Sequence, residues 1–155
     1  MDHLERGTSV VELLVAVTIF SVLTAIAVPS VITVRESFDR HFGKSQVEFA
    51  LRRARSDSVD RGTRGILRFS KDGASYSFGF DYLPFSSAPI EDYVSFIRDL
   101  PPKVTVLGDP LVFSSQGFLV DVSGNPTDAK FILSYAGEEY CTGKIHSTGN
   151  IEYGC

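Results

Sequence analysis

Apolar side chains are densest near the start of this chain. From Val10 to Val28 the only polar residues are Glu12, Thr18, Ser21 and Thr24, and Pro29 follows. A helix over these nineteen residues is about 28 Å long, close to a hydrocarbon core of roughly 30 Å. The pattern predicts a membrane-grade helix that carries one carboxylate near its start. An ionised carboxylate in such a segment costs on the order of 3 kcal/mol on insertion scales, so Glu12 requires a partner.

The helical period resumes beyond Pro29. Val34, Phe38, Phe42, Val47, Ala50, Leu51 and Ala54 recur at steps of three and four, predicting one apolar stripe on a charged helix. Proline removes one backbone donor, and a continuing pattern means a kink at Pro29 rather than an end. Gly62 after Arg61 reads as the C-cap, with Arg52, Arg53 and Arg55 near the negative end of the helix dipole. Continuous from Thr8 to Arg61, the rod would be about 80 Å long. Its first half suits lipid and its second half suits packing on a globular domain.

From Gly65 the period falls to two. Ile66 to Ser70 reads as a strand, Lys71-Asp72-Gly73 as a tight turn, and Tyr76, Phe78, Phe80 and Tyr82 alternate on the return. Such an aromatic face could stack bases or sugars; the simpler expectation is a core face that covers the long helix. Residues 83–102 hold four of the seven prolines. There Ile90, Tyr93, Val94 and Ile97 suggest one or two helical turns over the sheet edge, and the insertion is expected to carry a partner-specific surface. Short strands follow at Val104 to Leu107, Leu111 to Phe113, Phe118 to Val122, Lys130 to Tyr135, Tyr140 to His146 and Asn150 to Tyr153. The turn signals between them predict an antiparallel meander. The fold class expected is α+β: a long N-terminal helix packed on a C-terminal antiparallel β-sheet domain.

Composition adds limits. At 155 residues the chain suits one small domain plus an anchor. A formal net charge of −4 offers no general attraction for nucleic acid or anionic lipid. His3, His41 and His146 share no metal-ligand spacing, and no nucleophile elbow, P-loop or nucleotide fingerprint occurs. Asp121, Ser123, Asn125 and Asp128 resemble part of a calcium loop, yet Pro126 stands where glycine is needed and a hairpin turn explains them more simply. No catalytic residue, cofactor or metal is expected, so an enzyme has no residues to stand on. Arg52, Arg53 and Arg55 could form a phosphate-binding patch, but interleaved Glu48, Asp57 and Asp60 favour a solvated, self-paired face.

Gly7, Glu12 five residues beyond it, the run Leu13 to Val28 and Pro29 together resemble the N-terminus of type IV prepilins and type II secretion pseudopilins. Thr8 stands where that family usually has phenylalanine, and the leader carries Asp2 and Glu5 against Arg6. The resemblance implies that a prepilin peptidase cuts after Gly7 and methylates Thr8. It also implies that Glu12 neutralises the N-terminal amine of a neighbouring subunit, a role that fits the need to pair a buried charge. Ala50 to Val59, with its Ala-Arg-Ser segment, resembles the helix end of GspH/FimT-type minor pilins. Val112 to Gly117 and Ile145 to Ile151 resemble that group's closing sheets. The implied layout is a leader at 1–7, a transmembrane and assembly helix at 8–29, its amphipathic continuation at 30–62, and a β-rich pilin domain at 63–155. The implied partners are other pilin or pseudopilin subunits, the prepilin peptidase and inner-membrane lipid. The globular domain would lie in the periplasm.

Loss of the leader removes Arg6, Asp2 and Glu5 and changes the net charge from −4 to −3. A pilus-tip subunit that captures DNA is the second functional reading; it wants a basic, flexible patch, and the tail from Gly143 offers only Lys144 and His146. A secretory signal peptide cut after Ala25-Ile26-Ala27 is a third reading, against which Glu12 interrupts the apolar entry. A plain single-span anchor leaves Glu12 unexplained. Export implies that Cys141 and Cys155 form a disulfide. If Ser147-Thr148-Gly149 is a three-residue loop with Gly149 left-handed, facing residues sum to 296 and the two cysteines lie opposite one another.

Overall fold

The structure, a computed structural model, describes residues 9–81 and 93–155. One helix, α1 (Val10–Arg61), passes through position 29 without interruption. Ser9 caps it: its Oγ accepts the Val11 N–H at 3.4 Å and its carbonyl accepts the Leu13 N–H at 3.1 Å. The other end closes as a Schellman motif. Gly62, at φ +62, donates to the Val59 carbonyl and Thr63 donates to Ser58, each at 3.1 Å. Glycine adopts that left-handed conformation without steric cost.

Contacts divide the chain into two compact units, Met1–Phe38 and Asp39–Cys155. In the first, the large apolar side chains from Val10 to Val34 are exposed. Thr18, Ser21, Thr24 and Ser30 return their hydroxyls to carbonyls three or four residues earlier in α1. The helix is long and apolar enough to cross a membrane, by length and composition.

Among the described residues, the second unit holds the last turns of α1 and nine strands. They are β1 (Arg64–Phe69), β2 (Ser75–Asp81), β3 (Tyr93–Asp99), β4 (Val104–Gly108), β5 (Leu111–Phe113), β6 (Leu119–Val120), β7 (Ala129–Tyr135), β8 (Glu138–Ile145) and β9 (Ile151–Gly154). They form two antiparallel sheets, one in the order β3-β2-β1-β5-β6 and one in the order β4-β7-β8-β9. This corrects the expected single meander. After the left-handed Lys103, β4 joins β7, and past the turn Gly108 to Pro110 the chain returns to pair β5 with β1. Backbone bonds stitch the sheets together, from Val106 to Gly73 and from Leu119 to Ser147, each at 2.9 Å.

The expectation of helical turns near Tyr93 is also overturned. Residues 93–99 are a strand because the open edge of β2 supplies ladder partners that outweigh local spacing. Phe96 reaches the rings of Tyr76 and Phe78, at 6.3 and 5.5 Å between centroids. Tyr82, Ile90 and the part of the 83–102 insertion before Tyr93, where a partner-specific surface is expected, lie outside the described residues.

Tyr76, Phe78 and Phe80 face the core, as their alternation predicts. So do Val47, Ala50, Leu51 and Ala54 of α1, against Val104, Phe131 and Leu133 of the second sheet. The stripe differs from expectation upstream of Val47: Val34, Phe38 and Phe42 are exposed, and the buried line continues through Gly43. One residue is 100° of helix, so Phe42 faces away from that line. A Cβ on Gly43 would come within 2.6 Å of Val104 Cγ1, so glycine sets how closely α1 approaches β4.

Tyr140 and Tyr153 pack against this core by different means. A bulge in β8, where Leu133 faces Cys141 but Ser134 faces Glu139, turns both Tyr140 and Cys141 toward α1. Tyr140 donates its hydroxyl to the Arg40 carbonyl at 3.0 Å. Lys44 lies 4.2 Å over the Tyr153 ring, whose hydroxyl is buried without a hydrogen-bond partner among the described residues. Burial pushes the phenols of Tyr76 and Tyr140 up, and that of Tyr153 to about 12. An unfolded phenol ionises near pH ~10. Between pH 10 and 12 the unfolded chain therefore holds fewer protons than the folded one, and stability falls as pH rises. Thermal unfolding from pH 8 to 12 is expected to show that decline, and Tyr153→Phe is expected to flatten it.

Candidate functional site

The described chain begins at Ser9, so Gly7 and Thr8 lie outside it. Glu12 occupies the first turn of α1. There a carboxylate meets the positive end of the helix dipole, which contributes typically 0.3–1 kcal/mol. Ser9 and Glu12 also have the Ser-x-x-Glu spacing of a capping box, a signal that the sequence reading passed over. Between Val10 and Arg35, Glu12 is the one ionisable side chain. Every hydroxyl given above for this segment is satisfied within its own helix. Glu12 is exposed among exposed Val10, Val11, Leu13 and Leu14. The arrangement presents a single negative charge on an uncovered apolar rod, at the end where a neighbour's cation could reach it.

At the far end of the chain, Cys141 and Cys155 are joined by a disulfide, with 4.3 Å between Cα atoms. The β8–β9 ladder pairs Thr142 with Gly154 and Ile145 with Ile151, so facing residues sum to 296. Gly149, at φ +83, donates to the His146 carbonyl at 2.7 Å and closes the three-residue turn. His146 lies between two carboxylates, Nδ1 at 3.4 Å from Asp128 and Nε2 at 3.2 Å from Glu152. The Ser147 N–H and the Lys144 ammonium hold the Asp128 carboxyl below its usual range.

The other candidates resolve locally. Asp121 accepts the N–H groups of Ser123 and Asn125, each at 2.9 Å, and these bonds lower its carboxyl's pKa. Its oxygens are spent within its own turn. Among the described residues, no three His, Cys, Asp or Glu side chains converge as a metal site would require. Arg52 pairs with Glu48 at 2.7 Å and Arg53 with Asp57 at 3.6 Å, both one helical turn apart. These are the self-paired charges of a solvated face, worth a few tenths of a kcal/mol each.

Sequence reading missed a buried ion pair. Arg64 opens β1 and Asp81 closes β2, directly opposite each other. Arg64 is 7% and Asp81 0% exposed. Arg64 Nε donates to Asp81 Oδ2 at 3.0 Å, Nη2 donates to the same oxygen, and Nη1 reaches the Val122 carbonyl at 3.4 Å.

No protein-family model matches this chain. No curated protein matches it either. Solved structures do. The type IV minor pilin FimU of Pseudomonas aeruginosa superposes with a TM-score of 0.60 at 19% identity, over 77% of this chain and 91% of that one. A second crystal form of FimU gives 0.55 at 20% identity, over 73% and 90%. The minor pseudopilin EpsH from the type 2 secretion system of Vibrio cholerae gives 0.50 at 12% identity, over 72% and 92%. A long N-terminal helix with antiparallel sheets packed on its second part is thus the architecture shared with these proteins: the chain has the pilin-like fold of minor pilins and minor pseudopilins.

Proposed function

We propose that this chain is a structural subunit of a pilin-type fibre, either a type II secretion pseudopilus or a type IV pilus. A prepilin peptidase cuts between Gly7 and Thr8 and methylates Thr8. The released helix holds the subunit in the inner membrane as a single span, with the sheet domain in the periplasm. Glu12 then pairs with the amine of Thr8 on a neighbouring subunit, and Pro29 bends the helix where it leaves the lipid. The observation that carries this reading is Glu12: one carboxylate in the first turn of a helix whose following stretch, Leu13 to Val34, bears no charge and leaves its large apolar side chains exposed, in a chain with a pilin-like fold. The disulfide fits an oxidising compartment. DNA capture has less support, since Arg52 and Arg53 are already paired and the chain is acidic overall.

Processing tests the reading directly. Gly7→Val is expected to accumulate as uncut precursor in the inner membrane, because a pocket sized for glycine has no space for a branched side chain. Mass spectrometry of the parent is expected to find Thr8, methylated, at the N-terminus. A mature chain beginning at Val28 would instead mark a signal peptide and end the proposal.

A further inference from the structure

The last turns of α1 and the apolar core frame a cleft of about 300 Å³. Leu51, Phe113 and Ile145 close its floor with no more than 2% of their surface exposed, and three charged side chains of α1 stand at its rim: Glu48, Arg52 and Arg55. Glu48 neutralises Arg52. Arg55 is different. Its guanidinium lies against two turns that are far apart in sequence, at Gly117 and Gly149. A Cβ on Gly149 would come within 2.8 Å of Arg55 Nη1, and one on Gly117 within 3.1 Å of Nε. Both glycines have positive φ, +80 and +83. Any other residue at either turn would be strained there and would crowd the guanidinium. Among the described residues Arg55 has neither an ion pair nor a hydrogen bond. Five donors in a planar fork are thus held over the cleft, with nothing among the described residues to accept from them.

We propose that this cleft receives a carboxylate side chain from the globular domain of a neighbouring fibre subunit, an inference that rests on the assembly role given above. The carboxylate takes the two-pronged edge of Arg55. Charge selects this occupant. With Arg52 already paired, the rim offers one uncompensated positive charge, which one carboxylate balances. A nucleic-acid backbone would bring repeated charges against Glu48 and Asp60 on the same helix. Subunits of this acidic kind carry a surplus of carboxylates, 19 acidic against 15 basic residues here.

The test uses the full chain in cells that assemble the fibre. A photo-crosslinking amino acid placed at Asn150, beside the cleft, is expected to give an adduct with another subunit. Arg55→Glu and Arg55→Gln are each expected to reduce that adduct at least tenfold, and Arg55→Lys to reduce it less. Leader cleavage, membrane level and melting temperature should match the parent, which separates a lost contact from a lost fold. An adduct undiminished in both variants, or formed with nucleic acid, overturns the assignment of the cleft. So does a parent that enters the fibre without forming the adduct. A parent that never enters a fibre overturns the assembly role itself.

Discussion

Glu12→Ala is expected to insert into the membrane and lose its leader normally, yet to fall at least tenfold in the fibre fraction. The two effects separate because they depend on different properties of the residue. Insertion is governed by apolarity, and removing a carboxylate from the first turn of α1 relieves an insertion cost that reaches on the order of 3 kcal/mol at a helix centre and is smaller near its end. Assembly in the proposed mechanism depends on the charge itself, because an N-terminal amine taken into an apolar bundle must be neutralised. Losing one member of such a pair leaves the other uncompensated, and the penalty of about 3–5 kcal/mol is more than enough for a tenfold change. Glu12→Asp keeps the charge on a shorter stem and should recover part of the assembly. Fractionation of membrane and sheared fibre, with immunoblotting for precursor and mature chain, reads all three outcomes. Equal incorporation of Glu12→Ala and parent would show the carboxylate to be incidental.

Asp81→Ala is expected to cost about 3–5 kcal/mol of stability by leaving the Arg64 guanidinium buried without its counter-charge. Arg64 is bound through two nitrogens to one Asp81 oxygen, and at 7% exposure it is almost shut off from solvent. Against a total of ~5–15 kcal/mol for a domain, this is a large loss, and the melting temperature should fall by on the order of 15 °C. The double variant Arg64→Leu/Asp81→Leu is expected to lose much less, because two apolar side chains need no partner. Thermal unfolding of the full chain in detergent distinguishes the cases. Equal losses in the single and double variants would show that the strand pairing there, rather than the charge pair, carries the stability. Thr63 Oγ1 also donates to the Asp81 carbonyl at 3.0 Å, so the pair stands where the helix hands the chain to the sheet.

The elements legible in the sequence are those decided within a few residues. Gly62 marks the helix end because only its left-handed conformation closes the Schellman bonds. The final hairpin is legible because one turn, Ser147 to Gly149, sets the register of everything beyond it. Glu12 stands out because its surroundings are uniformly apolar. What could not be read was choice of partner between distant segments. Tyr93 to Asp99 has a spacing that a helix could use, and only the free edge of β2 makes it a strand. The same holds for β4 and β5, consecutive in sequence but in different sheets. Arg64 and Asp81 did leave a trace: the hairpin around Lys71-Asp72-Gly73 pairs residues that sum to 145, and so places these opposite charges face to face. Arg55 left none, because its setting is made by two turns more than thirty residues apart.

The disulfide turns the last hairpin into a covalent ring. Residues 141–155 are closed on themselves through sulfur as well as through the backbone. Thr148 and Asn150, at the tip of that ring, are exposed, the kind of site a protease can enter. A single cut there opens the ring without dividing the molecule: β9 stays attached through Cys155, its ladder with β8 intact and Lys44 still over Tyr153. Such a nick would pass unseen until the sulfur bridge was reduced, and only then would the final residues be released.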